Sequence, residues 1–391
     1  MFLLSFFENK NNLRNPKPKI LPSVSVIIPA FNEEKSIAKT IRSLLNLDYP
    51  KDKLNIIVVD DGSIDNTLKI AKSFENKGVR VFHKENGGKG SALNFGLTKI
   101  KTEFVASMDA DSFVTRSALK RMIGYFHKKE VMAVAPSIKI WKPTNFLGKV
   151  QLIEFLSATF IRKIFSILGG VPIVPGPFSI FRKEFFDKYG GYDTSTLTED
   201  IEISLRIESK KFLIENALDA NVYTTAVTTF KQMFHQRLRW FRGFIDNIYR
   251  YRFLLSPKYG NMGVFILPVS IISVSLGVIA FIYSVIMLII NSIQNLYNLY
   301  LIGFDISTWF EFEFDAFFLN TTATGLLPLV LIIISITMIY LAKKHSKEPQ
   351  PVKLPYVFFI MTYWFISAIC WISAAACKIR GKSVTWGKRA L

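Results

Sequence analysis

The chain has 391 residues, of which 50% are hydrophobic and 14% aromatic, and its formal net charge is +19. This composition is more apolar than a soluble core requires, and we attribute the positive charge to a surface facing anionic lipid, which excludes nucleic acid as the partner. The two cysteines, Cys370 and Cys377, form neither a disulfide framework nor a zinc-ligand spacing.

The first part of the chain alternates short apolar runs with stretches of helical length. The runs are rich in β-branched residues and predict strands. They are residues 24–28, 56–60, 79–83 and 104–108. Such alternation is typical of a parallel, nucleotide-binding sheet and predicts an α/β fold. Ser63 is the predicted cap of a helix that begins near Asp65.

Acidic residues follow two of the predicted strands. Asp60 and Asp61 stand before Gly62, an ordinary turn sequence whose carboxylates can also accept hydrogen bonds from a base or a ribose. Asp109 and Asp111 are one residue apart, so both carboxylates can face one divalent cation that bridges to phosphate. Ligands of open α/β sheets bind at the carboxyl ends of the strands, where these groups are expected to meet.

A glycine-rich run occupies residues 86–91. It offers backbone N–H groups and the Lys89 cation to a diphosphate. Its spacing is neither that of a P-loop nor that of a dinucleotide fingerprint, which argues against an ATPase or a dehydrogenase.

Two later stretches mix apolar and basic residues at helical spacing. Residues 145–168 and 230–251 are predicted helices that lie on the membrane surface. A buried core helix is the alternative for the second stretch, but a core would tolerate its arginines poorly. They are Arg237, Arg239, Arg242 and Arg250, with Arg252 just beyond.

Between these stretches, Asp200 follows Glu199 at the start of a helical run. Asp200 is a candidate general base. The alternative is that both acids merely favour a helix N-terminus.

Three apolar segments follow, each near the roughly 20 residues that cross a bilayer. Residues 262–290 and 324–342 are predicted spans, and residues 354–377 are predicted either to span or to form an interfacial or re-entrant segment. Residues 291–325 contain no Lys or Arg, whereas lysines follow the second span. The positive-inside bias therefore predicts a multi-pass protein of the cell membrane with its catalytic domain in the cytosol.

Six motifs occur in one fixed order. They are the run 24–33, Asp60-Asp61-Gly62-Ser63, the run 88–94, Asp109-Ala110-Asp111, Thr198-Glu199-Asp200 and Gln236-x-x-Arg239-Trp240. Together they resemble the inverting family-2 glycosyltransferases, and most of all the processive membrane branch of hyaluronan, chitin, cellulose and poly-N-acetylglucosamine synthases. The resemblance covers roughly residues 22–252 and implies a GT-A nucleotide-sugar-binding domain there. The remaining parts are an N-terminal segment (1–21), the membrane region (262–377) and a basic cytosolic tail (378–391).

The resemblance also implies roles for individual residues on the donor side. The nucleoside would contact Pro29, Glu33 and Asp61. Lys89 and Asp109 would contact the donor phosphates or the ribose. Asp111, together with Asp109, would hold Mg²⁺ or Mn²⁺.

On the acceptor side, the resemblance makes Asp200 the catalytic base. Gln236, Arg239 and Trp240 would line the donor and acceptor sites, with the Trp240 ring against the acceptor sugar. Near the C-terminus, Trp386-Gly387-Lys388-Arg389 resembles the gating loop of hyaluronan synthases, with Lys where Thr is usual. Trp386 and Arg389 would then act from a cytosolic tail.

The implied function is metal-dependent transfer of a sugar, with inversion, from a nucleotide sugar, expected to be a UDP-sugar, to a growing β-linked polysaccharide. The alternative is transfer of one sugar to a polyprenyl phosphate or a lipid-linked oligosaccharide. Trp240 within its motif favours the first. The synthases carry helices before their catalytic domain that this sequence does not show. This difference favours the alternative, or it indicates that a partner subunit or a homo-oligomer completes the secretion channel.

Overall fold

A computed structural model describes residues 2–9, 13, 15–301, 323–381, 385–386 and 389–390. Most of the predicted external loop, residues 291–325, lies outside the described residues. The backbones of Thr385–Trp386 and Arg389–Ala390 pair as antiparallel strands. The side chains of Trp386 and Arg389, and hence their predicted gating role, lie outside what is described.

An eight-stranded mixed sheet forms the centre of the N-terminal part. Its strands are β1 (Val24–Ala30), β2 (Leu54–Asp61), β3 (Val79–Lys84), β4 (Phe104–Ser107), β5 (Phe113–Val114), β6 (Val131–Ile140), β7 (Ser179–Arg182) and β8 (Leu213–Thr224). Their spatial order is β3-β2-β1-β4-β7-β6-β8-β5. The four strands predicted from apolar runs are the parallel half, β3-β2-β1-β4, so their carboxyl ends share one edge.

Helices cover both faces of this sheet. They are α1 (Phe2–Glu8), α2 (Ile37–Leu45), α3 (Thr67–Lys72), α4 (Lys89–Thr98), α5 (Ala118–Ile123), α6 (Phe146–Ile167), α7 (Lys183–Tyr189), α8 (Glu199–Ser209) and α9 (Phe230–Arg250). Side chains alternate across a strand, so Val26 and Ile28 of β1 pack with α2 and α5, whereas Ile27 packs with α4 and α8. Burial on both faces explains why β1 reads as a continuous apolar run.

The predicted cap of α3 is wrong. The helix begins at Thr67 rather than near Asp65. No side chain at its N-cap position accepts a hydrogen bond from the first N–H groups of the helix. Gly62 has φ +77°, a left-handed turn that carries Ser63 back towards β1. There, the Ser63 hydroxyl accepts a hydrogen bond of 3.0 Å from the Asn32 N–H.

Three C-terminal helices are long and apolar enough to cross a membrane. They are α10 (Leu267–Leu301), which continues a π-helical turn at Met262–Ile266, α11 (Ala323–Ser346) and α12 (Lys353–Ile379). Large apolar side chains cover the exposed surfaces of α10 and α11. These helices coincide with the three apolar segments of the sequence.

Helix α12 packs against α6 and α9 along its length. The Tyr363 hydroxyl donates to the Glu154 carboxylate of α6 at 3.0 Å. Further along, the Trp371 ring stacks on Phe241 of α9 at 4.1 Å, and Lys378 at the end of the helix pairs with an aspartate of α9. Both ends of α12 therefore lie against the N-terminal part of the protein.

The turn between α11 and α12 is fixed by a buried ion pair. The Lys139 ammonium of β6 lies 3.2 Å from the Glu348 carboxylate, and both side chains are fully buried. The same ammonium donates to the Ser346 carbonyl at 2.6 Å, and the Gln350 side chain donates to the Ile140 carbonyl at 2.9 Å. We call this group the turn anchor.

The expectation that a buried helix would not tolerate Arg237 is also wrong. Its side chain is only 1% exposed, and its guanidinium pairs with Glu154 of α6 and donates to Gln236 at 2.7 Å. A buried arginine is accommodated when a carboxylate and hydrogen bonds satisfy it, which the sequence of α9 alone does not reveal.

Candidate active site

The carboxyl ends of β1, β2 and β4 open into one cavity of about 1030 Å³. Every donor, metal, base and acceptor residue predicted from the sequence, outside the C-terminal tail, lines this cavity. They are Pro29, Glu33, Asp61, Lys89, Asp109, Asp111, Asp200, Gln236, Arg239 and Trp240. The cavity therefore brings together residues from distant parts of the chain, as a single site requires. Their individual roles stay predictions.

Lys89 joins two sides of the cavity. Its ammonium lies 2.6 Å from the Asp109 carboxylate and 2.9 Å from that of Glu199. Burial lowers the pKa of Lys89, but the surrounding carboxylates outweigh this and raise it above its ordinary value. A Cβ at Gly176 would lie 2.6 Å from the same ammonium nitrogen, so a larger residue there would displace the end of the Lys89 side chain. Lys89 is therefore held as a cation between the end of β4 and the start of α8.

Asp61 holds the glycine-rich loop in place. Its carboxylate accepts hydrogen bonds from the backbone N–H groups of Gly87 (3.1 Å) and Gly88 (2.7 Å), and from the Lys84 ammonium (2.8 Å). The neighbouring Asp60 is fully buried and lies 2.6 Å from His83. The two adjacent acids therefore lie in different surroundings: Asp61 borders the cavity, whereas Asp60 does not.

A group of acidic side chains lies beside Lys89. Burial, together with the negative charges of Asp109 and Glu33, raises the pKa of Asp111 to about 6, although the Ser112 hydroxyl donates to it at 2.9 Å. Burial also raises the pKa of Glu33. Lys89 offsets only part of this negative charge, and the hard oxygens of the carboxylates suit a divalent cation.

Within the described parts of the chain, no three His, Cys, Asp or Glu side chains converge closely enough to hold a metal ion by themselves. The residues fit an ion that takes Asp109 and Asp111 from the protein and its other oxygens from a bound diphosphate.

Asp200 lies in the first turn of α8, where its carboxylate accepts a hydrogen bond of 3.0 Å from the Ile201 N–H. Burial and the adjacent Glu199 raise the pKa of Asp200 to about 6, against the opposing effect of Lys89 and Arg239. Burial likewise favours the neutral form of Glu199, but its contact with Lys89 lowers the pKa of Glu199 below the ordinary value. The pair therefore separates into a permanent anion and a carboxylate that can exchange a proton near neutral pH.

Trp240 is positioned by neighbours on α6 and α9. The Arg237 guanidinium lies over the Trp240 ring at 4.2 Å, and the Phe155 ring centre is 6.4 Å away. Arg239 donates to the Leu197 carbonyl at 3.2 Å, which links α9 to the segment before α8. These contacts orient an aromatic ring and a cation towards the cavity that Asp200 also lines.

The cavity extends beyond Asp200 to the apolar C-terminal helices. Val269, Ser273 and Val274 of α10 line it, as does Trp371 of α12. Arg162 of α6 lines the same region and was not among the predicted site residues. Its only signal in the sequence was its place among the cations that interleave with apolar residues along residues 145–168, which we interpreted as a membrane-surface pattern.

Residues 25–190 match the family model described as glycosyl transferase family 2. A β-monoglucosyldiacylglycerol synthase of Trichormus variabilis is 33% identical over 229 residues, which are 57% of this chain and 49% of the relative. A poly-β-1,6-N-acetyl-D-glucosamine synthase of Staphylococcus aureus is 31% identical over 237 residues, which are 59% of this chain and 57% of the relative. The chain thus spans about half the length of these curated relatives.

A mannosyltransferase from Pyrobaculum calidifontis, solved in complex with GDP-Man and Mn²⁺, aligns with 99% of this chain and 95% of its own. The TM-score is 0.57 and the sequence identity 17%, a likeness that shows the fold. The predicted GT-A fold followed by C-terminal apolar helices is confirmed, as is the resemblance to the membrane branch of the family.

Proposed function

We propose that this chain, whose residues 25–190 form a family-2 glycosyltransferase domain, transfers a sugar with inversion from a nucleotide sugar to an acceptor held at the membrane. One observation carries the proposal: the residues predicted to contact the donor and the acceptor and to act as the base line a single cavity, together with residues of α10 and α12. The relatives described above are named for transferring sugars to a polysaccharide and to a lipid, both through β-linkages.

In the proposed reaction, Asp200 accepts the proton of the acceptor hydroxyl. Its raised pKa suits this role, because a base whose pKa lies near the working pH accepts a proton readily and is still largely ionised. The acceptor oxygen bonds to C1 of the donor sugar from the face opposite the diphosphate. The bond from C1 to the nucleoside diphosphate breaks, and the electron pair leaves with the diphosphate.

Two groups would neutralise the leaving diphosphate. Lys89 supplies a cation next to Asp109. A divalent ion held by Asp109 and Asp111 would supply Lewis-acid stabilisation of the departing phosphates. The Mn²⁺ and GDP-Man bound to the structurally similar mannosyltransferase support this assignment of Mg²⁺ or Mn²⁺. We retain a UDP-sugar as the expected donor from the sequence resemblance.

For the acceptor, a growing β-linked polysaccharide follows from the sequence motifs. A lipid-linked acceptor is the second candidate, and the apolar end of the cavity between α10 and α12 favours it. The size of the product distinguishes them, because polysaccharide synthesis yields a ladder of lengths and single transfer yields one lipid-linked product. A partner subunit or a second copy would complete a secretion path in the first case.

We further propose that α10 and α11 cross the cell membrane and that α12 lies at the interface. The support is that α12 and the turn before it contact the N-terminal part of the protein: Tyr363 contacts Glu154 of α6, Lys378 contacts Asp246 of α9, and Gln350 of the turn contacts Ile140 of the sheet. Two crossings leave the catalytic part and the tail on the same side, which the charge bias identifies as the cytosol.

The test of the proposed function is donor turnover. Purified full-length protein is incubated with a panel of nucleotide sugars and Mn²⁺, and release of the nucleoside diphosphate is measured with and without a membrane extract as acceptor source. We expect one donor to be consumed faster when the extract is present. Consumption of none of the donors would refute the proposal.

A further inference from the structure

Part of the cavity is lined mainly by apolar side chains. Its walls are Phe165 of α6, Phe244 of α9, Val274 of α10 and Trp371 of α12. The candidate donor residues line the cavity at the ends of β1, β2 and β4. We call the apolar part, to which α10 and α12 contribute, the membrane-side chamber. Because α10 is a candidate membrane span, the chamber borders the depth at which a lipid tail would lie.

Arg162 lines this chamber and has no hydrogen-bonded counter-ion among the described residues. The Nη1 atom of Arg162 is buried and bonds to no described residue. Burial lowers the pKa of Arg162 to about 10, and the charge of Asp200 opposes the shift. The guanidinium therefore remains cationic at neutral pH. Arg237 and Arg242 of α9 also carry one buried nitrogen without a hydrogen-bond partner, but each forms an ion pair, with Glu154 and Asp246, whereas Arg162 forms none with the described residues.

An unsatisfied buried cation carries a desolvation cost that an anionic ligand removes. Arginine also matches phosphate through several parallel N–H donors. Phe165 lies one turn after Arg162 on α6, and both Phe165 and apolar side chains of α10 line the same chamber. The combination suits a ligand with an anionic head and an apolar tail.

We propose that Arg162 binds the phosphate of a lipid-linked acceptor whose tail lies against α10 and Trp371 and whose hydroxyl reaches Asp200. This inference rests on the proposed function and assigns its acceptor class. The transfer is balanced: the acceptor oxygen bonds to C1, the donor diphosphate leaves with the electron pair, and the hydroxyl proton passes to Asp200. Arg162 takes no proton and acts by positioning the acceptor.

The test is binding of farnesyl phosphate to purified full-length protein, with uncharged farnesol as the comparison ligand. Quenching of tryptophan fluorescence reports binding, because Trp240 and Trp371 line the cavity. We expect the wild-type protein to bind farnesyl phosphate more tightly than farnesol. Since a hydrogen-bonded charge contributes roughly 1.5–3 kcal/mol, Arg162→Gln should weaken farnesyl phosphate binding by about 10- to 100-fold and leave farnesol binding unchanged.

Two variants control this result. Lys149→Gln removes a positive charge from the same helix but outside the cavity, and it should bind farnesyl phosphate like the wild type. Ser273→Trp fills the chamber from α10 and should weaken both ligands, which keeps the proposal testable if Arg162→Gln does not fold. Equal affinity of the wild type and Arg162→Gln for farnesyl phosphate, or unchanged binding in Ser273→Trp, would overturn the proposal.

Inorganic phosphate distinguishes a lipid head from a free anion. If inorganic phosphate displaces farnesyl phosphate at equal concentration, the site recognises a free anion and the lipid assignment is wrong. Binding is measured without donor, so its failure leaves the donor turnover assay untouched. Conversely, Arg162-dependent lipid binding in a protein that consumes no nucleotide sugar would refute the proposed function alone.

Discussion

Asp200→Asn is the substitution that most directly tests the proposed chemistry. The amide has the shape of the carboxylate and can still accept the hydrogen bond from the Ile201 N–H, so the start of α8 should fold normally. Removing the charge also relieves repulsion from Glu199, and the structure gives no reason for a lower folded yield. What the variant loses is the proton acceptor.

We expect Asp200→Asn to slow transfer by roughly 10²- to 10⁴-fold, which corresponds to a barrier higher by about 2.7–5.4 kcal/mol. Donor affinity should stay nearly unchanged, since the base acts on the acceptor. In the wild type, the base works only when ionised, so the maximal rate should fall as the pH decreases through about 6. That inflection should be missing from the residual activity of the variant.

The assay is turnover at saturating donor across a pH series, with nucleotide affinity measured separately by calorimetry. Asp187→Asn is the matched control, because Asp187 lies on α7 with its side chain 60% exposed and outside the cavity. Near-normal turnover of Asp200→Asn, or the same pH inflection in its residual rate, would show that another group removes the proton.

Three further substitutions test the remaining assignments. Asp111→Ala should weaken donor binding only when Mn²⁺ is present, and chelation should stop wild-type transfer reversibly; full activity in excess chelator would remove the metal from the mechanism. Trp240→Ala should raise the acceptor KM by about 3- to 10-fold, the range expected for an aromatic contact, without changing donor Kd; equal losses of donor affinity and folded yield would indicate a packing role instead. In a background without native cysteines, Trp386→Cys should be protected from an impermeant thiol reagent in intact cells, whereas a cysteine near Asp305, in the loop that the sequence predicts to be external, should be labelled; a labelled tail would mean three crossings.

The parts of the site that were predictable from sequence lie at the ends of parallel strands. Asp61 and Asp109 follow apolar runs, and the geometry of a parallel sheet carries such residues to one edge. Asp200 and Trp240 were assigned to the same site only through the motif resemblance, because no local sequence pattern places them near the strand ends. These residues line one cavity because of how α8 and α9 pack. That packing involves contacts between distant parts of the chain.

The failures have a common physical origin. Ser63 was assigned to a cap because serine suits that position, but the turn after β1 supplies a competing hydrogen-bond donor, the Asn32 N–H. Arg237 and Arg162 were both treated as surface cations, although one is satisfied by Glu154 and the other faces a cavity. A pattern within one helix does not show what a second helix places opposite it.

The turn anchor has a mechanical consequence. Lys139 and Glu348 are enclosed together, and removing either partner of such a pair leaves the other as an uncompensated buried charge, at a cost of roughly 3–5 kcal/mol. The turn between α11 and α12 is therefore held against β6, and the fold sets the distance between the sheet and these two helices. With α10 and α11 crossing the membrane as proposed, donor chemistry would take place at one constant depth, and it is the acceptor that has to travel.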